Sequence, residues 1–484
     1  MSDGKQIAKN ASWLALATTL NKAIAFFTFA KVAGLVGPEI TGIYFYSVSI
    51  TSVFVILTDL GMTPVVIRAI AGARHDAGKL LSASLRLKIF LSPIAILASL
   101  IYGYLNHADA VTLGTIGLAC LVMTADTYHL ALYGALRGRQ NLRPEAIGML
   151  IGQVLTAIVM LSSALLHFGP IGLAAGLLLG STWNVCWAVF KTKSLSVMFQ
   201  SPELRDYKRL FREAVPFGVA GISVKLYSYF DSLMIKVYHG VEAVGYYAVS
   251  YKMTYALQFL PLTFTAALYP ALANSWAKKD TQSLRRTFLG SLRFMAFLGF
   301  PLSAGLSALA PQIIGLFFPG FNGSIPSFSI LPWVLLPIFM DFPVGSLLNA
   351  THRAHLKTTA MLCTVVINIV LNILLVPDLG PLGAAWAGVF SFWSLFFIGM
   401  YFTAKDAGRA AFVWILVRAS FCAMLSWIAW KISVEHMPFF AAFVFGGSIA
   451  VLLAFLVKLI TTEDVKWILR RPGIKQDETT HADS

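Results

Sequence analysis

The chain has 484 residues, 57% of them hydrophobic and only 12% charged, with a mean hydropathy of +0.74. A water-soluble domain carries about 25% charged residues because its surface has to meet water, so the composition excludes a soluble enzyme and makes lipid the main solvent. The net charge of +15 calls for anionic surroundings, and its distribution along the chain decides which.

The opening MSDGKQIAKNASWLALATTL sets two lysines before an apolar run without a small-residue cleavage site, which predicts a retained membrane helix at 11–36. Thirteen further segments have about the 20 apolar residues that a spanning helix needs. They lie at 40–67, 80–105, 111–136, 145–167, 170–191, 214–238, 243–271, 287–310, 325–350, 358–376, 381–403, 411–431 and 437–459. Every second loop is basic: Arg74 and Lys79; Arg137, Arg139 and Arg143; Lys191 to Arg212; Lys278 to Arg286; Arg353 and Lys357; Lys405 and Arg409. The loops between them (NHAD, HFGP, HGVE, PDLGP) hold no lysine or arginine. By the positive-inside rule both termini are expected in the cytoplasm. The excess charge then faces anionic lipid headgroups and no nucleic-acid partner is needed. The tail TEDVKWILRRPGIKQDETTHADS predicts a short amphipathic stretch on the inner surface, disordered from Pro472 onward.

Little in the loops supports catalysis. Cys120, Cys186, Cys363 and Cys422 are isolated in apolar segments, so neither a disulfide framework nor a metal site is indicated. There is no GxxxxGK[ST] loop to bind a nucleotide. A polymerase or glycosyltransferase would need a large outer loop or a soluble domain bearing acids, and neither is present. The chain reads as a non-enzyme without a cofactor.

The sequence starts again near residue 214. GPEITGIYFYS at Gly37 matches GVEAVGYYAVS at Gly240, and Lys22 falls opposite Lys225 at the same offset of 203. SLRLKIF at Ser84 matches SLRFMAF at Ser291, and GPIGLAA at Gly169 matches GPLGAAW at Gly380. Six spans separate the copies, so the repeats run parallel about an axis along the membrane normal. The expected fold is an all-α polytopic membrane protein of about 14 helices. Its parts are a six-helix lobe at 1–191, a cytoplasmic interlobe loop at 192–213, a second six-helix lobe at 214–403, two extra helices at 411–459 and a cytoplasmic tail at 460–484.

LVGPEITGIY after the first span, DSLMI…VGYYAVSYKM…LP…LYPALA, and NIVLNILLVPDLGPLGAAWAG together resemble the Wzx-type polysaccharide-unit flippases. These belong to the multidrug/oligosaccharidyl-lipid/polysaccharide superfamily, and the similarity covers about residues 10–405. The resemblance implies a two-lobed, V-shaped transporter in the bacterial cytoplasmic membrane. Its cargo would be an undecaprenyl-pyrophosphate-linked oligosaccharide, moved to the outer leaflet through a cationic central cavity while the lipid tail stays in or near the bilayer. A polymerase and export machinery of the same pathway would be its partners. Two alternatives share the plan: a cation-coupled multidrug exporter and a peptidoglycan lipid II flippase. The exporters are expected to carry an acid in the opening helix, where this chain has Lys22.

An ionised group at bilayer depth costs at least about 2.5–3.5 kcal/mol, so it needs a wet cavity or a partner. In KLYSYFDSLMIK, Lys225, Tyr229, Ser232 and Lys236 share one helical stripe, with Asp231 about 120° away. Lys22, Lys225 and Lys252 are the expected cavity cations, with Tyr229 and Tyr255 as sugar-facing aromatics. Arg86 and Arg293 are placed to meet the diphosphate from the cytoplasmic side. Lys31, Lys236 and Lys431 near outer helix ends, and Lys88 and Arg418 near inner ones, are expected to snorkel. Asp59, Asp126 and Asp231 are candidate coupling or salt-bridge groups. Thr364, Asn368 and Asn372 form a stripe suited to interhelical hydrogen bonds. Pro93, Pro261, Pro301, Pro337 and Pro343 are expected bend points.

Overall fold

The structure, a computed structural model, describes residues 2–192 and 200–461, and these are helical with no strand among them. The first half comprises α1 (Ser2–Phe54), α2 (Ile56–Asp59), α3 (Met62–Ala71), α4 (Ala77–Leu105), α5 (Ala110–Gly138), α6 (Arg143–Leu165) and α7 (Gly169–Thr192). The second half comprises α8 (Leu204–Ala256), α9 (Phe259–Ala277), α10 (Thr281–Ala308), α11 (Ala310–Phe317), α12 (Ile325–Ile330), α13 (Leu335–Ala350), α14 (Ala354–Leu379) and α15 (Pro381–Ala407). Two helices follow, α16 (Arg409–His436) and α17 (Phe439–Leu456). The amphipathic stretch and tail expected after Thr461, and positions 193–199 of the interlobe loop, lie outside the described residues.

Eleven helical stretches among the described residues are long and apolar enough to cross a membrane. The first of them, Leu16–Asp59, joins most of the expected crossing at 11–36 to the first part of that at 40–67. The seventh and eighth, in α8 and α9, are not among the eleven; α8 carries the intramembrane charges.

One glycine reverses the chain inside each long helix. Gly37 (φ 80°, ψ 176°) and Gly240 (φ 82°, ψ −179°) adopt the same conformation, which only glycine enters at low cost. The reversal of α1 is visible at Lys252, whose ammonium lies 5.7 Å from the rings of both Phe29 and Phe45. A straight helix would separate those two rings by about 24 Å. In α8 the Tyr247 hydroxyl donates to the Asp231 carboxylate across the equivalent turn. Gly169 and Gly380, the other repeat-related glycines, both take positive φ where α7 and α15 begin. The repeat read from sequence is therefore matched by backbone conformation.

The expected crossing at 40–67 is not one helix. It breaks at Leu60 (φ 46°) and Gly61 (φ 80°), between α2 and α3. The cause is tertiary: Gly61 abuts Gly218 of α8, and a Cβ on Gly218 would lie 2.8 Å from the Leu60 carbonyl oxygen. Pro93, Pro301 and Pro343 lie inside helices. Pro261 and Pro337 fall in the first turns of α9 and α13, where a missing N–H breaks no helical hydrogen bond.

The halves touch at both membrane faces. On the basic face, Leu210 and Ala214 of α8 are buried with Met62, Val65 and Ala69 of α3 and Leu80 of α4. On the opposite face Gly42 meets Val241 and Gly245 meets Pro38, a reciprocal contact between repeat-related positions. A Cβ on either glycine would overlap the facing carbonyl oxygen.

Candidate functional site

The folded-back arms of α1 and α8 bring three lysines to one depth. Lys22 and Lys225 each stand fifteen residues before their turning glycine, and Lys252 stands twelve after Gly240. At 1.5 Å per residue this is about 18–22 Å below the turn, inside a hydrocarbon layer about 30 Å thick. Lys22 and Lys252 are exposed and Lys225 is half-buried. Lys252 keeps accessible surface although its ammonium lies 5.7 Å from the rings of Phe29 and Phe45 of α1. The Lys225 ammonium lies 5.6 Å from the Tyr229 ring centroid. Cation–π contacts contribute about 0.5–2 kcal/mol, too little to hold an ammonium at that depth without water or an anion.

Among the described residues no carboxylate forms an ion pair with Lys22, Lys225 or Lys252. The opposite charge within Coulombic reach of Lys225 is Asp126 on α5, so the two halves face each other there. Asp126 is 41% exposed, accepts a hydrogen bond from Ser181 Oγ at 2.6 Å and lies 3.6 Å from His129 Nδ1. Tyrosines line the same region. Tyr251 and Tyr255 are 4.4 Å apart by ring centroid, Tyr229 is 6.5 Å from Tyr251, and Tyr227 and Tyr255 both pack on Phe392. Cations and phenol hydroxyls side by side can hold a phosphate and stack on sugar faces.

The other candidates are placed differently. Asp231 is buried and held by the Tyr247 hydroxyl and the Ser232 N–H at 2.8 Å. Asp59 pairs with Lys88 at 2.6 Å and accepts from Thr63 Oγ1 at 2.6 Å. Lys88 does not snorkel: it is fully buried and also donates to Thr127 Oγ1 at 2.6 Å. The α4 face that carries it turns toward α2 and α5, where acceptors replace water. Nor does Lys236 reach for headgroups; its ammonium donates to the Asn106 carbonyl at the end of α4, where the helix dipole favours a cation. Arg86 is exposed on α4, and Arg293 is half-buried on α10 with its Nε donating to the Leu289 carbonyl at 3.5 Å. Asn368 Nδ2 donates to Ser391 Oγ at 3.2 Å, joining α14 to α15, and Asn372 Nδ2 donates to the Asn368 carbonyl at 2.9 Å.

Sequence reasoning missed a cluster on the basic face. Glu213 of α8 accepts from Arg68 at 2.8 Å, Arg74 at 3.2 Å and Arg209 at 3.0 Å. Asp76 accepts from Arg74 at 3.0 Å and Arg209 at 2.8 Å. The bonds from Arg74 hold the Asp76 carboxyl below its ordinary range. Burial pushes the Glu213 carboxyl up, but hydrogen bonds from the three arginines outweigh it and bring it to about 2. Acids among the arginines of two basic loops were the available signal. A separate apolar cavity of about 210 Å³, lined by Trp333, Leu336, Trp393 and Trp427 among others, holds no charged group and offers nothing to an anionic headgroup.

The profile of the polysaccharide biosynthesis protein family matches residues 7–276. The chain belongs to that family. A MatE profile matches residues 216–374, as the likeness to flippases of the multidrug/oligosaccharidyl-lipid/polysaccharide superfamily requires. Among curated relatives, the chain is 23% identical to the probable low-salt glycan biosynthesis flippase Agl15 of Haloferax volcanii, over 80% of this chain and 81% of that one. It is 23% identical to the lipopolysaccharide biosynthesis protein WzxC of Escherichia coli, over 74% and 72%. A solved structure of lipid II flippase MurJ in an inward closed conformation superposes with a TM-score of 0.77 at 15% identity, covering 94% of this chain and 99% of that one. An inward-facing multidrug resistance MATE transporter superposes at 0.65 with 17% identity, over 80% and 95%. These structures establish a MurJ- and MATE-like all-α transporter fold.

Proposed function

We propose that this family member flips a polyprenyl-pyrophosphate-linked oligosaccharide across the bacterial cytoplasmic membrane, from the inner to the outer leaflet, for surface polysaccharide assembly. The observation that carries the reading is the layer of Lys22, Lys225 and Lys252 at one depth, without carboxylate ion pairs and beside tyrosines. A diphosphate supplies the missing anion and its sugars take the aromatic wall, while the undecaprenyl chain stays with the bilayer. Agl15 and WzxC, named for glycan flipping and lipopolysaccharide biosynthesis, support this cargo class. The halves, 1–191 and 214–403, act as two lobes exposing the cavity alternately to the basic, cytoplasmic face and the opposite one. Helices 411–459 are an addition to that machine, and a polymerase and export proteins act downstream.

The multidrug exporter reading shares the MATE fold, but three lysines without carboxylate ion pairs repel the cationic compounds such a protein would carry. Lipid II flipping needs the same diphosphate chemistry and differs only in the glycan. The deciding experiment is mass spectrometry of polyprenyl-linked glycans in cells lacking the protein. Accumulation of one diphosphate-linked oligosaccharide, reversed by the wild-type chain but not by Lys225→Ala or Lys22→Ala at equal membrane abundance, supports the reading. An unchanged lipid pool with new sensitivity to cationic drugs would replace it with the exporter.

A further inference from the structure

We infer that Arg68, Arg74 and Arg209 form a latch across the basic mouth of the cavity that opens when a diphosphate takes Arg68 from Glu213; this builds on the flippase reading. The arrangement of partners carries the inference. Each carboxylate has an arginine on its own half: Asp76 takes two hydrogen bonds from Arg74 at 3.0 Å, and Glu213 takes one from Arg209 at 3.0 Å. The ties between halves are Arg209 to Asp76 at 2.8 Å, Arg74 to Glu213 at 3.2 Å and Arg68 to Glu213 at 2.8 Å. When the halves part, Arg74–Asp76 and Arg209–Glu213 remain as neutralised pairs. Arg68 alone loses its counter-ion.

Arg68 is also the group an arriving anion reaches. Its side chain is 59% exposed, against 23% for Arg74 and 44% for Arg209, and its guanidinium stands 5.7 Å from the Phe217 ring. Guanidinium binds phosphate oxygens in the same two-pronged geometry as carboxylate, so a diphosphate can replace Glu213 without leaving a bare charge. The seam beneath is backbone against backbone at Gly61 and Gly218, beside the apolar contact of Leu210 and Ala214 with α3 and α4, so the ion pairs are the part of the closure that an anion can exchange. Exposed ion pairs are individually weak, so one substitution of partners suffices to shift the balance. Cargo arrival and opening of the mouth thereby become one event.

The test uses the full chain in inverted membrane vesicles, with the four native cysteines replaced and a reporter cysteine at Ser52, beside Tyr229 in the cavity. A second reporter at Ser228, beside Tyr251, covers any loss of folding by the first. The rate of labelling by an impermeant maleimide is read with and without inorganic pyrophosphate at constant ionic strength. Pyrophosphate is expected to raise the rate about fivefold, the scale of one exposed ion pair changing hands. Arg68→Gln removes that response, Arg68→Lys retains part of it, and Glu213→Gln labels fast with or without pyrophosphate. Vesicles doped with polyprenyl diphosphate should respond as with pyrophosphate, and vesicles doped with phosphatidylglycerol should not. An equal response to phosphatidylglycerol would assign the effect to ordinary headgroups and overturn the inference, as would no response to pyrophosphate while Glu213→Gln labels fast. The assay needs no glycan, so its failure is separable from that of the flippase reading, which the lipid-pool measurement decides alone.

Discussion

Removing the Lys88 ammonium separates a structural role for Asp59 from a coupling role. The ion pair is 2.6 Å long, a gross attraction of about 6 kcal/mol at an effective dielectric of about 20. Much of it is offset by taking both charges out of water. Breaking such a buried pair from one side costs about 3–5 kcal/mol, whereas replacing both members with neutral groups of similar size is close to neutral. The partners are unequal: Lys88 is 0% exposed, while the Asp59 side chain is 26% exposed and keeps the Thr63 hydroxyl at 2.6 Å. Lys88→Met is therefore expected near the lower end, about 3 kcal/mol, and Asp59→Asn, which leaves the ammonium buried, near the upper end, about 5 kcal/mol. The double variant should return to within about 1 kcal/mol of wild type. Unfolding of the purified protein in mixed detergent micelles measures all three. Additive losses in the double variant, or a larger loss for Lys88→Met than for Asp59→Asn, would refute the reasoning. Glycan transport by the double variant then assigns the role: retained transport leaves Asp59 structural and Asp126 and Asp231 the remaining coupling candidates, whereas lost transport with restored stability makes Asp59 part of the coupling.

Gly42→Ala or Gly245→Ala places a methyl group on the facing carbonyl and should cost about 1–3 kcal/mol. The halves can no longer meet at the face opposite the basic loops, which a rise in labelling of a cavity cysteine from that side would report. Gly37→Ala and Gly240→Ala force a side chain to φ near +80° with ψ near 180°, at about 1–3 kcal/mol each; near-equal losses are expected from the matched conformations, and a difference of several-fold would contradict the structural repeat. The latch carboxylates predict a pH response. Glu213 titrates at about 2 when paired against 4.5 ordinarily, so its contribution is complete above about pH 4.5 and lost as pH falls toward 2. The thermal midpoint should stay level from pH 7 to 5 and decline below, and Glu213→Gln should blunt that decline; an identical decline in the variant would remove Glu213 as its source.

The one-dimensional pattern of the chain determined its class, most of its spans and its repeat, because each is a local condition. Every spanning helix must match lipid on its own, the loop charges alternate loop by loop, and Gly37 and Gly240 turn the chain by their own backbone freedom. Lys22, Lys225 and Lys252 stood out for the same reason: each is costly wherever its helix goes. Partner choice belongs to the tertiary structure. Nothing near Lys88 in the sequence indicates that Asp59 and Thr127 surround it, and a hydropathy trace reads the same whether a lysine snorkels or is buried in an ion pair. The break at Leu60–Gly61 was hidden because apolar residues continue through it; the approach of Gly218, more than 150 residues away, imposes it. The Arg68–Glu213 tie likewise joins groups 145 residues apart, and only the packing of α3 against the start of α8 turns two basic loops into one closed seam.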